Sequence, residues 1–232
     1  MESWQVRQEA LLPGSCDTLK NKHVTVFGIG GVGSYLCEAL ARAGVGAFTL
    51  VDGDTVAESN INRQLIADTK SIGKYKAEVM KERISLINPK AKVECINRFI
   101  QAEQLSQVFD FKTDYVADAI DTVSVKLELA KFCQDNNIFL LSAMGTGNKI
   151  HPELFEIADI YATSVCPLCR AMRSKLKAMG VKSLKVVYSR EEPISAVMQK
   201  TDGRYPPASI SFTPPVAGMI MAGEIIRNLL GI

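Results

Sequence analysis

The chain has 232 residues, of which 47% are hydrophobic, and its formal net charge at pH 7 is +2. This length and apolar content predict one α/β domain with a sizeable core, and the balanced charge excludes a global basic field typical of nucleic-acid-binding proteins. The longest apolar stretch, Val216 to Leu230, is interrupted by Glu224 and Arg227 and is too short to span a bilayer. The N-terminus has mixed charge, unlike a signal peptide. We therefore expect a cytoplasmic protein with no membrane partner.

The predicted elements alternate between strands and helices along most of the chain. Short apolar runs predict strands at Val24–Phe27, Phe48–Asp52, Val93–Ile96, Tyr115–Ala119, Phe139–Ser142 and Lys185–Tyr188. Helical periodicity and end signals predict helices at Gly33–Ala43, Lys74–Ile87, Ala102–Phe109, Val123–Asn136, Pro167–Met179 and Val216–Leu229. Such alternation is typical of parallel strands joined by right-handed crossovers. We predict an α/β fold with a doubly wound (Rossmann-like), mostly parallel sheet and helices on both faces.

The first predicted strand runs into a glycine series, GIGGVGS, which opens the first predicted helix. The series consists of Gly28, Gly30, Gly31 and Gly33. Glycines at these spacings permit a tight turn, the approach of backbone N–H groups to a phosphate, and close helix–strand packing. Asp52 ends the next predicted strand about twenty residues further on, where a carboxylate can bind ribose hydroxyls. Alone, this pattern is typical of any dinucleotide-binding enzyme.

The segment after Asp52 is richer in amides and positive charges than a nicotinamide site requires. If the connection between positions 54 and 74 folds back over the glycine series, Arg63 and Lys76 lie beside a bound phosphate. Asp121 follows the fourth predicted strand and is placed to hold Mg²⁺. Neither histidine lies in a catalytic motif, and a carboxylate nucleophile, already ionised at neutral pH, needs no general base. These residues fit the formation of an acyl adenylate.

Each of these assignments has a structural alternative. Asp121 could cap the following helix. Lys76 could belong to an ordinary solvated helix face, and Asp52 could be a salt-bridged loop carboxylate. The positions of the three residues relative to the glycine series favour nucleotide binding.

Between about residues 189 and 215 the alternating pattern fails, and five of the nine prolines lie there. Long irregular loops in compact domains are often functional. We therefore predict one adenylation domain over residues 1–232, with an irregular functional loop at about 189–215.

The six cysteines lie mostly within predicted elements, as is typical of reduced intracellular proteins. Only Cys166 and Cys169 form a CxxC pair. A Cys₄ zinc site would require a second pair, so zinc is not expected. The favoured interpretation is that both are small core residues at a helix start, and a redox or sulfur-relay role is the alternative.

Five motifs, GIGGVGS, VDGDTV, SNINRQ, GKYKAE and DAIDTV, occur in an order and spacing that resemble the adenylating enzymes related to ubiquitin activation. Within that superfamily the chain resembles the tRNA threonylcarbamoyladenosine dehydratases more closely. The matching features are SNINRQ, DAIDTV, the short length, and the segments MGTGNKI, ADIYATSVCPL and VVYSREEP. The resemblance extends from about Val6 onwards.

The resemblance implies ATP binding with Mg²⁺ held by Asp121, and a homodimer in which Arg7 reaches the partner's site. The implied ATP-binding residues are Gly28, Gly30, Gly31, Gly33, Asp52, Asp54, Ser59, Asn60, Arg63, Gln64, Lys76 and Asp121. The implied catalytic residues are Arg63, Lys76, Asp121 and Arg7. The implied reaction adenylates the carboxylate of threonylcarbamoyladenosine beside a tRNA anticodon and then cyclises it, with net loss of water.

A basic series near the C-terminal part of the chain could contact tRNA phosphates, although a solvated face is an equal alternative. It consists of Arg170, Arg173, Lys175, Lys177, Lys182 and Lys185. An alternative function is an adenylating activator of a ubiquitin-like or sulfur-carrier protein. The single CxxC pair and the basic series count against that carrier-protein partner. A third hypothesis, a non-catalytic nucleotide-binding module, conflicts with the joint presence of Arg63, Lys76 and Asp121.

Overall fold

A seven-stranded sheet forms the centre of the fold in the computed structural model, which describes residues 2–109, 113–195 and 207–232. The strands are β1 (His23–Phe27), β2 (Ala47–Val51), β3 (Lys92–Ile96), β4 (Tyr115–Asp118), β5 (Leu140–Ala143), β6 (Phe155–Asp159) and β7 (Lys185–Ser189). Their order is β3-β2-β1-β4-β5-β7-β6. All neighbouring strands are parallel except β6, which pairs antiparallel with β7.

Helices cover both faces of this sheet. They are α1 (Val6–Leu11), α2 (Ser15–Leu19), α3 (Gly33–Ala43), α4 (Lys76–Ile87), α5 (Leu105–Val108), α6 (Val123–Asp135), α7 (Pro167–Ala178) and α8 (Thr213–Leu230). Short 3₁₀ turns lie at Ser3–Gln5, Glu58–Asn60, Ala102–Gln104, Pro152–Leu154 and Ile160–Ala162. Within the described ranges, no helix is long and apolar enough to cross a membrane.

The side chains of the central strands alternate between two packed layers. Val26 of β1 joins a cluster that includes Leu36 of α3 and Met221 of α8. Its neighbour Phe27 points to the opposite face and packs in a cluster with Leu129 of α6. This two-sided burial confirms the predicted doubly wound α/β fold.

The sheet order changes direction between β1 and β4. Because parallel strands align their carboxyl ends, the loops after β1, β2 and β4 open along one edge of the sheet. Ligands of open α/β sheets bind in the crevice at such a reversal point. The fold therefore brings the glycine series, Asp52 and Asp121 to one crevice.

The structure differs from the predicted elements in four places. The helices α1 and α2 and the edge strand β6 were not predicted, and the predicted helix Ala102–Phe109 is a 3₁₀ turn followed by α5. The final helix begins at Thr213, so Pro214 and Pro215 lie in its first turn and not in the predicted loop. Proline is tolerated there because first-turn N–H groups have no partner within the helix. Within the predicted loop, residues 196–206 lie outside the described residues.

Candidate functional site

A cleft of about 700 Å³ opens at the carboxyl ends of β1, β2 and β4, and this volume lies within the usual range of ligand pockets. Ten of the twelve predicted nucleotide-binding residues line it, namely Gly28, Gly30, Gly31, Asp52, Asp54, Asn60, Arg63, Gln64, Lys76 and Asp121. Gly33 and Ser59 do not. Walls that were not predicted are formed by Arg98–Ile100, Met144–Gly147 and Leu168.

The glycine loop has the geometry that its residues imply. Gly28 has a φ of +84°, and a Cβ there would lie 2.7 Å from Ala119 O. A Cβ on Gly33 would overlap Gly28 O, so Gly33 serves the packing of α3 against the loop. At Gly30 the nearest heavy atom to such a Cβ would be 3.7 Å away. This position is therefore open towards the cleft.

Asp52 connects the glycine loop to the segment that follows β2. Its Oδ2 accepts a hydrogen bond from Ile29 N–H at 2.6 Å, and its Oδ1 accepts one from Asp54 N–H at 2.8 Å. Burial raises the pKa of Asp52 above its ordinary value, and these hydrogen bonds oppose that effect. The carboxylate is thus held in a fixed orientation at the rim of the cleft.

The connection between positions 54 and 74 folds back, which is the condition under which the sequence places Arg63 and Lys76 beside the glycine series. Thr55 pairs with Tyr75 in an isolated antiparallel bridge, which places Lys76 at the start of α4 beside the cleft. Lys76 Nζ donates to Asp54 Oδ2 at 2.8 Å, and the exposed fractions of the two side chains are 8% and 52%. Such burial contradicts the alternative that Lys76 belongs to a solvated helix face.

Arg63 is half-buried on the same folded-back loop. Its Nη1 donates to Ser59 O at 3.0 Å and to Asn62 Oδ1 at 2.9 Å. Desolvation lowers the pKa of Arg63, although an arginine stays protonated at neutral pH. Ser59 thus contributes its backbone carbonyl to the arrangement. The guanidinium keeps further donors that an anion in the cleft could use.

Gln64 presents an unused acceptor in the cleft wall. The residue is only 7% exposed, and its Oε1 has no hydrogen-bond partner among the residues that the structure describes. An unsatisfied buried acceptor costs about 1–3 kcal/mol. A ligand that donates to Oε1 would recover part of that free energy.

Asp121 lies in the connection between β4 and α6, three residues beyond the end of β4. Its carboxylate is exposed and accepts one hydrogen bond, from Thr122 Oγ1 at 3.4 Å. Thr122, and not Asp121, occupies the N-cap position of α6. In the part of the chain that the structure describes, no three acidic, histidine or cysteine side chains are grouped to hold a metal. A single carboxylate beside a phosphate site fits Mg²⁺ that arrives with a nucleotide.

A buried ion pair that was not predicted from the sequence lies below the cleft. Lys126 Nζ lies 2.7 Å from Asp118 Oδ2, and both side chains are enclosed. A signal for it existed, because Lys126 shares a helix face with Leu129, Ala130 and Cys133, which are buried. A lysine on an apolar helix face requires an acidic partner.

Arg7 does not line the cleft of its own chain. It is exposed on α1, and the adjacent Gln8 donates through Nε2 to Ala43 O at the carboxyl end of α3. The glycine loop lies at the other end of α3, and an 11-residue helix is about 16 Å long. Arg7 therefore lies near the end of α3 that is remote from the glycine loop of its own chain.

Two members of the basic series have intramolecular partners. Arg173 Nη1 donates to Thr163 O at 3.0 Å and to its hydroxyl at 2.6 Å. Lys185 Nζ lies 2.7 Å from Glu224 Oε1 and joins β7 to α8. The other four cations are exposed, namely Arg170, Lys175, Lys177 and Lys182.

Lys185→Ala is expected to lower the free energy of unfolding by about 1 kcal/mol at neutral pH. The effect is no larger because Lys185 is partly exposed, and solvent weakens its attraction to Glu224. Lys185, Arg227 and Asn228 hold the pKa of Glu224 at about 2, below its ordinary 4.5. A lowered carboxyl pKa adds stability that is present above pH 4.5 and is lost as the pH falls towards 2. The difference between wild type and variant should therefore shrink over this range in urea unfolding experiments.

Lys177→Ala is the matched control, because Lys177 is exposed on α7. It should change stability by less than about 0.5 kcal/mol. Equal destabilisation by the two variants would contradict the structural role of Lys185.

Cys166 and Cys169 are both buried in the cluster that packs α7 against the sheet. A hydrogen bond from the Cys169 thiol lowers the pKa of Cys166 to about 6, and backbone N–H groups of Leu168, Cys169 and Gly145 add to the effect. Their burial agrees with the interpretation as core residues at a helix start. The alternative of a redox or sulfur-relay role stays a prediction, as does the expectation that the chain binds no zinc.

Comparisons with known proteins place these features in context. A model of the ThiF family matches residues 3–232. The tRNA threonylcarbamoyladenosine dehydratase of Bacillus subtilis (strain 168) is 42% identical over 228 residues, covering 92% of this chain and 89% of that protein. The crystal structures of E. coli tRNA N6-threonylcarbamoyladenosine dehydratase, TcdA, in complex with ATP and with AMP are each 31% identical, with a TM-score of 0.89. Each match covers 100% of this chain and 96% of the other.

Proposed function

Because the chain belongs to the ThiF family, we propose that it is an ATP-dependent adenylating enzyme that acts as a tRNA threonylcarbamoyladenosine dehydratase. The observation that carries this proposal is that Arg63, Lys76 and Asp121 line the same cleft as the glycine loop. The relative from Bacillus subtilis, whose match spans nearly the whole chain, carries that activity in its name.

ATP binds in this proposal along the crevice at the reversal of strand order. Backbone N–H groups of the glycine loop and the positive end of α3 face the phosphates, while Asp52 accepts hydrogen bonds from the ribose hydroxyls. The buried Oε1 of Gln64, which has no hydrogen-bond partner among the described residues, and the open space beside Gly30 support the binding of a ligand beside the glycine loop.

Arg63 and Lys76 supply the positive charge for the transfer step. Lys76 Nζ uses one donor on Asp54, and an ammonium group has three, so it can bind Asp54 and a phosphate together. The Arg63 guanidinium offers its remaining N–H groups in a planar fork that matches phosphoryl oxygens. Asp121 would hold Mg²⁺, which neutralises charge on the polyphosphate when it is bound.

The reaction proceeds in two displacements. A carboxylate oxygen of threonylcarbamoyladenosine bonds to the α-phosphorus of ATP, and the bond from that phosphorus to the bridging oxygen breaks, which releases pyrophosphate. An atom of the same side chain then attacks the activated carbonyl carbon and loses its proton to the solvent. The bond from that carbon to the AMP oxygen breaks, so the ring closes and AMP leaves with one oxygen of the former carboxylate. The first nucleophile is already ionised, so this chain's residues chiefly orient the reactants and stabilise charge.

The exposed cations of α7 and the following loop support a tRNA substrate. Arg170 lies near the cleft, two residues after the cleft-lining Leu168. Lys175 and Lys177 lie further along α7, and Lys182 lies in the loop that follows it. Contacts of such residues with phosphates would position the anticodon arm without reading its sequence.

ATP–pyrophosphate exchange tests this proposal directly. Purified protein with tRNA that contains threonylcarbamoyladenosine should exchange label between pyrophosphate and ATP. Mass spectrometry of the digested nucleosides should show the loss of one water from the modified base. Exchange that requires a diglycine-tailed carrier protein in place of tRNA would favour the alternative activator, and exchange under neither condition would contradict an adenylating enzyme.

We further propose a homodimer in which Arg7 completes the partner's cleft. Arg7→Ala and Lys76→Ala should each inactivate the homodimer. When the two variants are mixed, one site of each mixed dimer keeps both residues, so about a quarter of wild-type exchange should return. No recovery in mixtures shown to contain mixed dimers would rule out the shared site.

A further inference from the structure

Lys126 and Asp118 form an ion pair that the protein encloses completely. Lys126 Nζ lies 2.7 Å from Asp118 Oδ2, and the exposed fractions of the side chains are 0% and 1%. Moving two charges out of water is costly, and neutral side chains of similar volume often give equal or greater stability. The pair therefore requires an explanation other than stability.

The pair links the two residues that flank the short segment carrying Asp121, and each of them also makes a hydrogen bond to that segment. Asp118 Oδ1 accepts a hydrogen bond from Ile120 N–H at 3.2 Å, and Lys126 N–H donates to Thr122 O at 3.1 Å. Between these anchors, the one hydrogen bond that the Asp121 carboxylate makes within the described residues is its 3.4 Å contact with the Thr122 hydroxyl. The direction of Asp121 is therefore set mainly by the backbone of residues 119–122.

The Lys126 ammonium also reaches a second wall of the cleft. It lies 3.2 Å from Ser142 Oγ, which itself hydrogen-bonds Asp118. Ser142 belongs to β5, and the cleft-lining segment Met144–Gly147 follows directly after that strand. One buried cation thus joins the bases of two cleft-lining segments.

The 119–122 segment also supports the glycine loop. Gly28 approaches Ala119 so closely that a Cβ on Gly28 would lie 2.7 Å from Ala119 O. Ala119 N–H donates to Phe27 O at 2.7 Å. A shift of this segment would therefore reach the phosphate-binding loop as well as Asp121.

We propose that Lys126 is a positioning residue for adenylation: by holding Asp118 and Ser142 together, it fixes residues 119–122 and so aims Asp121 at the nucleotide phosphates. This inference rests on the proposed function, because it assigns Asp121 a role in that reaction. Reacting groups must be held to within a fraction of an ångström for full rates, and a fully buried anchor provides that rigidity.

The test compares Asp118→Asn/Lys126→Met with wild type. The double variant keeps the shapes and removes both charges, so no unpaired charge stays buried. Glu38→Gln is the matched control: Glu38 is also a buried carboxylate, 2.6 Å from Arg83, but this pair joins α3 to α4 and does not line the cleft. The measurements are unfolding, kcat and KM for ATP in tRNA-dependent exchange, ATP affinity with and without Mg²⁺, and hydrogen exchange of Ile120 N–H.

We expect the folded double variant to lose about tenfold to a hundredfold in kcat, with little change in KM for ATP. Its Ile120 amide should exchange faster, and Mg²⁺ should strengthen ATP binding less than in wild type. Glu38→Gln should show none of these changes. Wild-type kcat, Mg²⁺ response and amide exchange in the double variant would overturn the proposal, as would equal changes in Glu38→Gln.

Two further outcomes are distinguishable. If the double variant does not fold, Ser142→Ala removes the third member of the network and should give the same changes at smaller size; unchanged values would overturn the proposal. If wild type shows no tRNA-dependent exchange, the proposed function fails. The Mg²⁺ response and the Ile120 amide then still decide whether Lys126 positions Asp121.

Discussion

Lys76→Ala is expected to lower ATP–pyrophosphate exchange by about a hundredfold or more, because a buried, fixed charge beside the phosphates is lost. The Lys76 side chain is only 8% exposed, and its ammonium is held by Asp54 at 2.8 Å. The fold should persist, since the Asp54 carboxylate left behind is 52% exposed and stays solvated. Arg63→Ala should act in the same direction, because its guanidinium shares the cleft wall.

Lys81→Ala is the matched control for this effect. Lys81 lies on the same helix as Lys76 but is exposed, so its loss should leave both exchange and stability near wild type. Circular dichroism and urea unfolding would establish that each variant is folded. Wild-type exchange in Lys76→Ala, or an equal loss in Lys81→Ala, would refute the assigned role.

Gly33→Ala is expected to destabilise the protein by about 3 kcal/mol, because the new Cβ would overlap Gly28 O and force the loop away from α3. The neighbouring backbone is fixed on its other side, where Gly28 packs against Ala119. The overlap therefore cannot be relieved by rotating one flexible side chain. Urea unfolding measures the change, and the loss of ATP binding should accompany it.

Gly30→Ala separates ligand binding from packing. The nearest heavy atom to its Cβ would be Gln64 Nε2, at 3.7 Å, so stability should change by less than about 1 kcal/mol. The methyl group would nevertheless enter the cleft and weaken ATP binding in calorimetry. Unchanged ATP affinity would argue against phosphates lying over Gly30, and a stable Gly33→Ala would contradict the packing argument.

Local signals were sufficient to predict the doubly wound sheet and most of its elements. The glycine series and the alternation of strands and helices depend on short-range geometry, which a sequence displays directly. The edge strand β6 escaped prediction because Phe155–Asp159 includes two acidic residues and pairs antiparallel with β7 across a long connection. The helix α8 begins earlier than predicted. Pro214 and Pro215 are typical of loops, but they also fit the first turn of a helix.

Local sequence signals predicted less of the candidate site than of the fold. The sequence placed Arg63 and Lys76 beside the glycine series only on the condition that the 54–74 connection folds back, and the fold meets that condition. The Asp118–Lys126 pair and the internal partners of Arg173 and Lys185 were not predicted, since a charged residue in a sequence does not reveal whether its partner is water or a distant side chain. These pairings exist only once the tertiary fold has formed.

The bridge between Thr55 and Tyr75 makes the folded-back segment a closed loop with a fixed base. Within this loop, Asp68, Thr69 and Lys70 are exposed, and hydrogen bonds between Asp68 and the buried Ser71 close the turn that they form. The entropic cost of lengthening such a loop grows only slowly, by about 0.6 kcal/mol for each doubling. Residues added among these three exposed positions would leave Arg63, which precedes the turn, and Lys76, which follows the bridge, in place. The segment can therefore change in length without changing the chemistry of the cleft.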